Sequence, residues 1–362
     1  MNDLSPIAAV AASSSPPRRT LRTPADLVAA GLADAGKLAA LEAVAARYAV
    51  AITPAMVELI DPADPADPIA RQFVPAAAEL TPTAEELADP IGDGAHEAVP
   101  GVIHRYPDRV LLKLVSSCAV YCRFCFRRET VGHGGASLAG KALDDALDYI
   151  RAEPLIWEVI VSGGDPLVAA PRRLAQLGKA LATIDHVKVV RFHTRVPVVA
   201  PERITPEMVA ALTASGKATW LAVHANHPSE LTGDARRAIA TLADAGIALV
   251  SQTVLLAGIN DDAGILGALM RAFVECRVKP YYLHHGDLAP GTSHFRVPIA
   301  EGQALMRALR GRVSGLCQPT YVLDIPGGYG KSPIGPGYLS SEEGAVTIED
   351  FQGRGHRYPA LG

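Results

Sequence analysis

From residue 109 onward the chain alternates two kinds of hydrophobic pattern. Short runs rich in β-branched and aromatic residues occur at 109–115 (RVLLKLV), 156–161 (IWEVIV), 187–192 (VKVVRF), 219–223 (TWLAV), 247–255 (IALVSQTVL) and 278–283 (VKPYYL). Their length and composition predict strands. Around 140–152, 171–184, 205–215, 234–245 and 262–275, apolar residues instead recur at helical spacing. Six strands alternating with helices predict crossover connections and a parallel α/β sheet, curled as a full or partial barrel. In such folds chemistry gathers at the C-terminal ends of the strands. The unusual stretches of this sequence fall there.

Upstream the pattern differs. Residues 1–20 are small, polar and Pro-rich, which predicts a disordered leader. Residues 24–59 are Ala/Leu-rich at helical spacing, with a Thr-Pro start at each end. The Asp-Pro repeats of "DPADPADPIARQFVP" disfavour continued helix and predict a connector that wraps rather than packs. The expected division is thus a leader, a helical region with its connector over 21–104, a core barrel over 105–320 and a C-terminal segment over 321–362.

Composition narrows the function. Apolar residues make up 49% of the chain, enough for a large core, and the net charge of −4 gives no reason to expect nucleic acid as a partner. No apolar run approaches the roughly 20 residues of a membrane span. The N-terminus lacks the basic start and apolar block of a secretory signal, so a cytoplasmic location is expected. Five cysteines, three of them within eight residues, point to a metal or redox site in a reducing compartment.

Those three, Cys118, Cys122 and Cys125, stand in "SSCAVYCRFCFRR", just past the first strand. Three thiolates on one loop can hold three irons of a four-iron cluster and leave the fourth open. A zinc site completed by a distant His or Cys is the alternative. The C-x3-C-x2-C spacing, with Phe124 before the last Cys, resembles the hallmark of the radical S-adenosylmethionine (SAM) superfamily. In that superfamily the open iron chelates SAM. The second strand ends in "SGGDP", and Ser162, Gly163, Gly164 and Asp165 look like the superfamily's SAM-binding motif. Read alone, they are a strand-to-loop turn.

Near the C-terminus, Lys331 follows Gly327, Gly328 and Gly330 in "YVLDIPGGYGKSPI". It is either an ordinary exposed lysine or a Schiff-base lysine on a pliable loop. From about residue 40 to 340 the chain resembles the lysine 2,3-aminomutase family, including relatives that supply β-lysine for elongation factor P. The resemblance rests on "HRYPDRVLLKLVSSCAVYCRFCFRR", "VSGGDPL", "HTRVPVVAPERIT", "QTVLLAGIND", "PYYLHHGDLAPGTSHFR" and "DIPGGYGKSPI". It implies a radical SAM partial (β/α)6 barrel with an N-terminal helical extension and a C-terminal segment carrying the cofactor lysine. The implied activity is isomerisation of L-lysine to β-lysine with a 4Fe-4S cluster, SAM and pyridoxal 5′-phosphate (PLP).

The resemblance further implies that Lys331 bonds PLP, that Arg105, Tyr106 and Arg109 help hold it, and that Gln252 serves the cofactor pocket; Arg195, at the end of the third strand, is a candidate cofactor contact. Arg127 is implied to take the substrate carboxylate, and Asp287 and Asp324 its side-chain ammonium. Each residue also has an ordinary reading: strand-end Gln, basic patch beside the cysteines, turn aspartates. His193 lies beside Arg195, where an anion could bind. Two departures stand out. His284 occupies a position where the free-lysine enzymes carry Tyr, as in the elongation factor P relatives. A cysteine-rich zinc tail is also missing, so Cys276 and Cys317 read as small buried residues. A low-potential donor such as flavodoxin or ferredoxin and a homo-oligomer complete the expectation.

Overall fold

The computed structural model of the protein describes residues 19–132, 137–342 and 345–359. The leader expected over 1–20 lies outside the described residues except for its last two positions. One ten-stranded sheet, in chain order from edge to edge, organises the molecule. Its strands are β1 (Glu97–Val99), β2 (Val102–Tyr106), β3 (Arg109–Val115), β4 (Glu158–Gly163), β5 (Val189–Thr194), β6 (Ala218–His224), β7 (Ala248–Val254), β8 (Lys279–His284), β9 (Thr320–Ile325) and β10 (Gly330–Pro333). Pairing is antiparallel from β1 to β3, parallel from β3 to β9 and antiparallel between β9 and β10. Because β1 and β10 remain edges, the barrel is partial.

All six expected strands are present, with ends displaced by at most two residues. The first five residues of β4 are buried, the mark of a strand covered on both faces. Helices Lys141–Ala152, Pro171–Ala182, Pro206–Leu212, Gly233–Asp244 and Ala263–Glu275 cross between successive strands, as the spacing predicts. Thr205, Thr232 and Asp262 accept from N–H groups of the first turn, and Pro171 and Pro206 occupy the first helical position. A sixth helix, Ile299–Leu309, and β9 extend the alternation by one unit that the sequence reading did not expect. The short, half-polar run TYVLDI sits against a glycine turn, which masks its strand character. The sheet also runs through both expected boundaries, since β2 spans residue 105 and β9 begins at 320.

The N-terminal region is less continuous than its spacing suggests. Pro24–Ala29 stops at Gly31, whose φ of 73° ends the helix, and Leu38–Arg47 and the short Pro54–Val57 turn follow. The Asp-Pro connector corrects the expectation of a segment that only wraps. Ile69, Gln72 and Phe73 are fully buried, and Asp67 accepts the N–H groups of Ile69 and Ala70 to start that turn. The Asp-Pro repeats end at Pro68, and the apolar residues beyond them reach the barrel mouth. At the C-terminus β11 (Leu339–Glu342), β12 (Ala345–Glu349) and β13 (Gly355–Tyr358) form a separate antiparallel sheet. Among the described residues no helix is long and apolar enough to cross a membrane.

Candidate active site

A cavity of about 850 Å³ fills the concave side of the sheet. Its lining contains every residue given a site role from the sequence: the three loop cysteines, Ser162 to Asp165, Arg195 and Gln252, together with Arg105, Tyr106, Arg109, Arg127, Asp287, Asp324 and Lys331. Chain segments more than two hundred residues apart therefore share one space. The polar groups fall into two networks, one around the cysteines and one around Lys331.

The cysteine loop follows β3 and is braced from three sides. Gly164 donates its N–H to the carbonyl of Val115, and Asp165 donates its N–H to that of Ser117. A Cβ on Gly163 would lie 2.3 Å from the Val115 carbonyl oxygen, and one on Gly164 would lie 2.3 Å from that of Ser117. The two glycines thus admit the cysteine loop's own backbone. From the other side Glu79, wholly buried, receives the guanidinium groups of Arg123 (3.0 and 3.1 Å from Nε) and Arg128, and Arg123 also donates to the Ala49 carbonyl at 2.8 Å. Burial opposes the Glu79 charge, yet the two arginines hold its carboxyl below its ordinary value. Arg123 and Arg128 therefore share one internal counter-charge and are buried, not an open basic patch.

The third brace carries the chemistry of the loop. Arg195, at the end of β5, donates from Nη1 to the Cys122 sulfur at 2.8 Å and from Nη2 to Glu230 and Gln72, each at 2.6 Å. Its guanidinium also lies over the Phe73 ring, 4.6 Å from the centroid. Burial works against this cation, but the Cys122 sulfur and the Glu230 carboxylate overcome it and raise its pKa. Burial lifts the Cys118 thiol well above its ordinary range, helped by Asp165 and the other sulfurs, and pushes Cys125 up to about 11. Buried thiols of this kind ionise when a cation binds them. Three soft donors, one already facing a fixed guanidinium, fit an iron–sulfur cluster.

Asp165 has both carboxylate oxygens engaged within the protein. Its Oδ1 accepts from Thr194 Oγ1 (2.7 Å) and the Leu167 N–H (3.0 Å), and its Oδ2 accepts from the Arg195 N–H (2.7 Å). Both oxygens are engaged in tying the end of β4 to the end of β5. Burial raises its pKa.

In the second network the β9–β10 register sets Lys331 opposite Asp324. Lys331 Nζ meets Asp324 Oδ1 at 2.7 Å, and the Tyr106 hydroxyl accepts the Lys331 N–H at 2.8 Å. The Tyr106 ring in turn lies under the Arg109 guanidinium at 3.9 Å. Arg105 donates to the Ile91 carbonyl at 2.6 Å, and its Nη1 stands 3.9 Å from Asp324. Burial opposes the Asp324 charge, while His284 and Lys331 hold its carboxyl well below its ordinary value. The His284–Asp324 separation of 3.7 Å is too long for a hydrogen bond. Asp287 behaves oppositely. Burial and then the Asp324 charge push its carboxyl up to about 7, against the pull of Lys331 and Arg127.

Three buried nitrogens of this network, Arg105 Nε, His193 Nε2 and His284 Nε2, have no hydrogen-bond partner among the described residues. Burial, then the charge of Arg191, keeps His193 neutral. A cationic wall of Arg105, Arg109 and Lys331 beside unpartnered ring nitrogens fits an anionic, hydrogen-bonding aldehyde cofactor such as PLP.

Sequence reasoning missed the carboxylates that hold these cations. Glu79 and Glu230 stand in short 3-10 turns and Asp93 just before another, with no functional motif around them. Asp93 Oδ2 takes Arg127 Nε and Nη2 at 2.9 and 2.7 Å, so Arg127 is already paired. Only the polar context of each residue was visible in the sequence, and that does not identify a partner.

The chain is similar to known proteins along most of its length. The Radical SAM superfamily model matches residues 112–265, and the lysine-2,3-aminomutase model matches residues 306–360. An L-lysine 2,3-aminomutase of Clostridium subterminale is 44% identical over 305 residues, which is 84% of this chain and 73% of that protein. One of Fusobacterium nucleatum is 41% identical over the same share of this chain and 72% of its own. A glutamate 2,3-aminomutase of Clostridioides difficile is 37% identical over 87% of this chain and 74% of that protein.

Proposed function

Because the chain belongs to the lysine 2,3-aminomutase family of radical SAM enzymes, we propose that its cavity binds L-lysine and that the enzyme moves the amino group from C2 to C3, giving β-lysine. The observation that carries the choice of substrate is the pair Asp287 and Asp324 in the same cavity as Arg127. Two carboxylates select an ammonium, because leaving them unpaired or facing another anion costs several kcal/mol. An arginine fork suits the substrate carboxylate.

The family works with a 4Fe-4S cluster, SAM and PLP. Cys118, Cys122 and Cys125 would hold the cluster, with Ser162 to Asp165 shaping the SAM side, and Arg105, Tyr106, Arg109, Gln252 and Lys331 would hold PLP. When bound, the cluster and SAM supply a hydrogen-abstracting radical, and PLP supplies the electron-accepting ring that carries the migrating nitrogen.

The chain's own residues do the positioning. Arg195 places a fixed N–H against the Cys122 sulfur, a contact of the kind that tunes cluster potential. Tyr106 fixes the Lys331 backbone, and Asp324 receives the Nζ proton, so the lysine nitrogen is held at a defined point of the cavity. A low-potential flavodoxin or ferredoxin as donor, a homo-oligomer and a cytoplasmic setting complete the proposal.

A glutamate-directed reading is favoured by the Clostridioides difficile relative alone. It places a side-chain carboxylate against Asp287 and Asp324, where like charges repel. The test is oxygen-free reconstitution with iron, sulfide, PLP, SAM, reductant and either amino acid. β-Lysine that requires both SAM and PLP is the expected product. β-Glutamate, or no product while SAM is still cleaved, overturns the substrate assignment.

A further inference from the structure

A chain of alternating charges crosses the cavity wall. Arg127 on the cysteine loop meets Asp93 Oδ2 at 2.7 Å, Asp93 Oδ1 meets Arg105 Nη2 at 3.3 Å, Arg105 Nη1 faces Asp324 at 3.9 Å, and Asp324 meets Lys331 Nζ at 2.7 Å. Asp93 stands where the chain passes from the expected substrate-carboxylate residue to the expected PLP residue. Each of its oxygens serves one arginine, and all three side chains are nearly closed off from solvent (14%, 9% and 11% exposed for Asp93, Arg105 and Arg127).

The loop that carries Asp93 is held at both ends. Asp89 accepts the N–H groups of Asp93 and Gly94. Gly92, with φ of 66°, lies so close to the Lys331 hairpin that a Cβ there would sit 2.4 Å from the Gly328 nitrogen. His96 Nε2 donates to the Gly328 carbonyl at 2.8 Å. One eight-residue loop therefore touches the cysteine loop, β2 and the Lys331 hairpin.

We propose that Asp93 is a positioning residue that couples the substrate-carboxylate site to the PLP site by holding Arg127 and Arg105 through its two oxygens. The inference rests on the function proposed above. Asp93 engages the Nε and Nη2 edge of Arg127, which leaves Nη1 for an incoming carboxylate and fixes the plane in which it is offered. Loss of its charge releases both arginines, and each then finds its ligand less well.

The test is a double-substitution cycle read by PLP uptake of the cofactor-free protein, followed by absorbance titration, with KM and kcat for L-lysine beside it. Arg127→Lys removes the fork without touching a PLP-holding residue. In the parent it should weaken PLP binding about tenfold, and in Asp93→Asn it should change PLP binding by less than about twofold, since residues in one ion network couple at this scale. Asp93→Asn alone should raise KM for lysine about tenfold with a smaller fall in kcat, and Asp93→Glu should recover part of the loss. A role confined to folding the loop would not make the Arg127 effect on PLP depend on Asp93. Equal Arg127→Lys effects in both backgrounds, or none in the parent, overturn the coupling while the function stands. A parent protein that takes up no PLP overturns the function and the coupling together.

Discussion

Asp287→Asn should make the cofactor-free protein more stable at high pH and little more stable at low pH. The Asp287 carboxyl is pushed up to about 7 by burial and by the Asp324 charge beside it, from an ordinary value of 3.8. Between those pH values the folded chain keeps a proton that the unfolded chain has released. Folding takes up that proton, so the parent loses stability as pH rises through this window and levels off above it. At about 1.4 kcal/mol per pKa unit, the shift corresponds to an upper bound of about 4 kcal/mol above pH 7. Contact with the solvated cavity reduces this, and most of the remainder accrues between pH 5 and pH 8, on the order of 2 kcal/mol. Asparagine keeps the shape and has no charge to desolvate. Urea unfolding of parent and variant at pH 5, 6, 7 and 8 should show an advantage for the variant that grows with pH. Parallel curves would refute the argument that this carboxyl is held against its ionisation. The same substitution should abolish lysine turnover, the usual exchange of function for stability at a strained site.

Three further outcomes follow from the geometry. Lys331→Ala should abolish turnover while iron and sulfide content stay at the parent level, and retained activity would remove Lys331 from the mechanism. Glu79→Gln leaves Arg123 and Arg128 buried without a counter-charge and should destabilise the fold by about 3–5 kcal/mol, read by urea midpoint together with loss of bound iron. Gly164→Ala puts a Cβ 2.3 Å from the Ser117 carbonyl oxygen, so reconstituted iron content should fall while far-ultraviolet circular dichroism stays unchanged; full iron content would mean that the cysteine loop yields at no cost.

The strand–helix alternation, the cysteine loop, the glycine motif and the glycine-rich stretch before Lys331 were all legible in the sequence. Each rests on local properties: apolar periodicity, thiol spacing, glycine at positions of close approach. The elements that escaped were those whose local signal is weak. Strand β9 is half polar, and the helix over 299–309 has no marked start; both are held by the strands and helices around them. Phe73 looked like part of an exposed connector because the Asp-Pro turns before it dominate the pattern.

What only the tertiary structure decided is which charge answers which. Arg123 and Arg128 belong to Glu79, Arg195 to Glu230 and the Cys122 sulfur, and Arg127 to Asp93. Asp165 of the glycine motif is engaged by Thr194 and by the backbone of Leu167 and Arg195. The sequence determines the chemical type of each group, because that is covalent. Arg123, Arg127 and Arg195 lie 34 to 73 residues from the carboxylates and the sulfur that answer them, some with whole strands and helices between. A buried ion pair is set by where the folded backbone brings two side chains out of water, and no local property of the chain records that position.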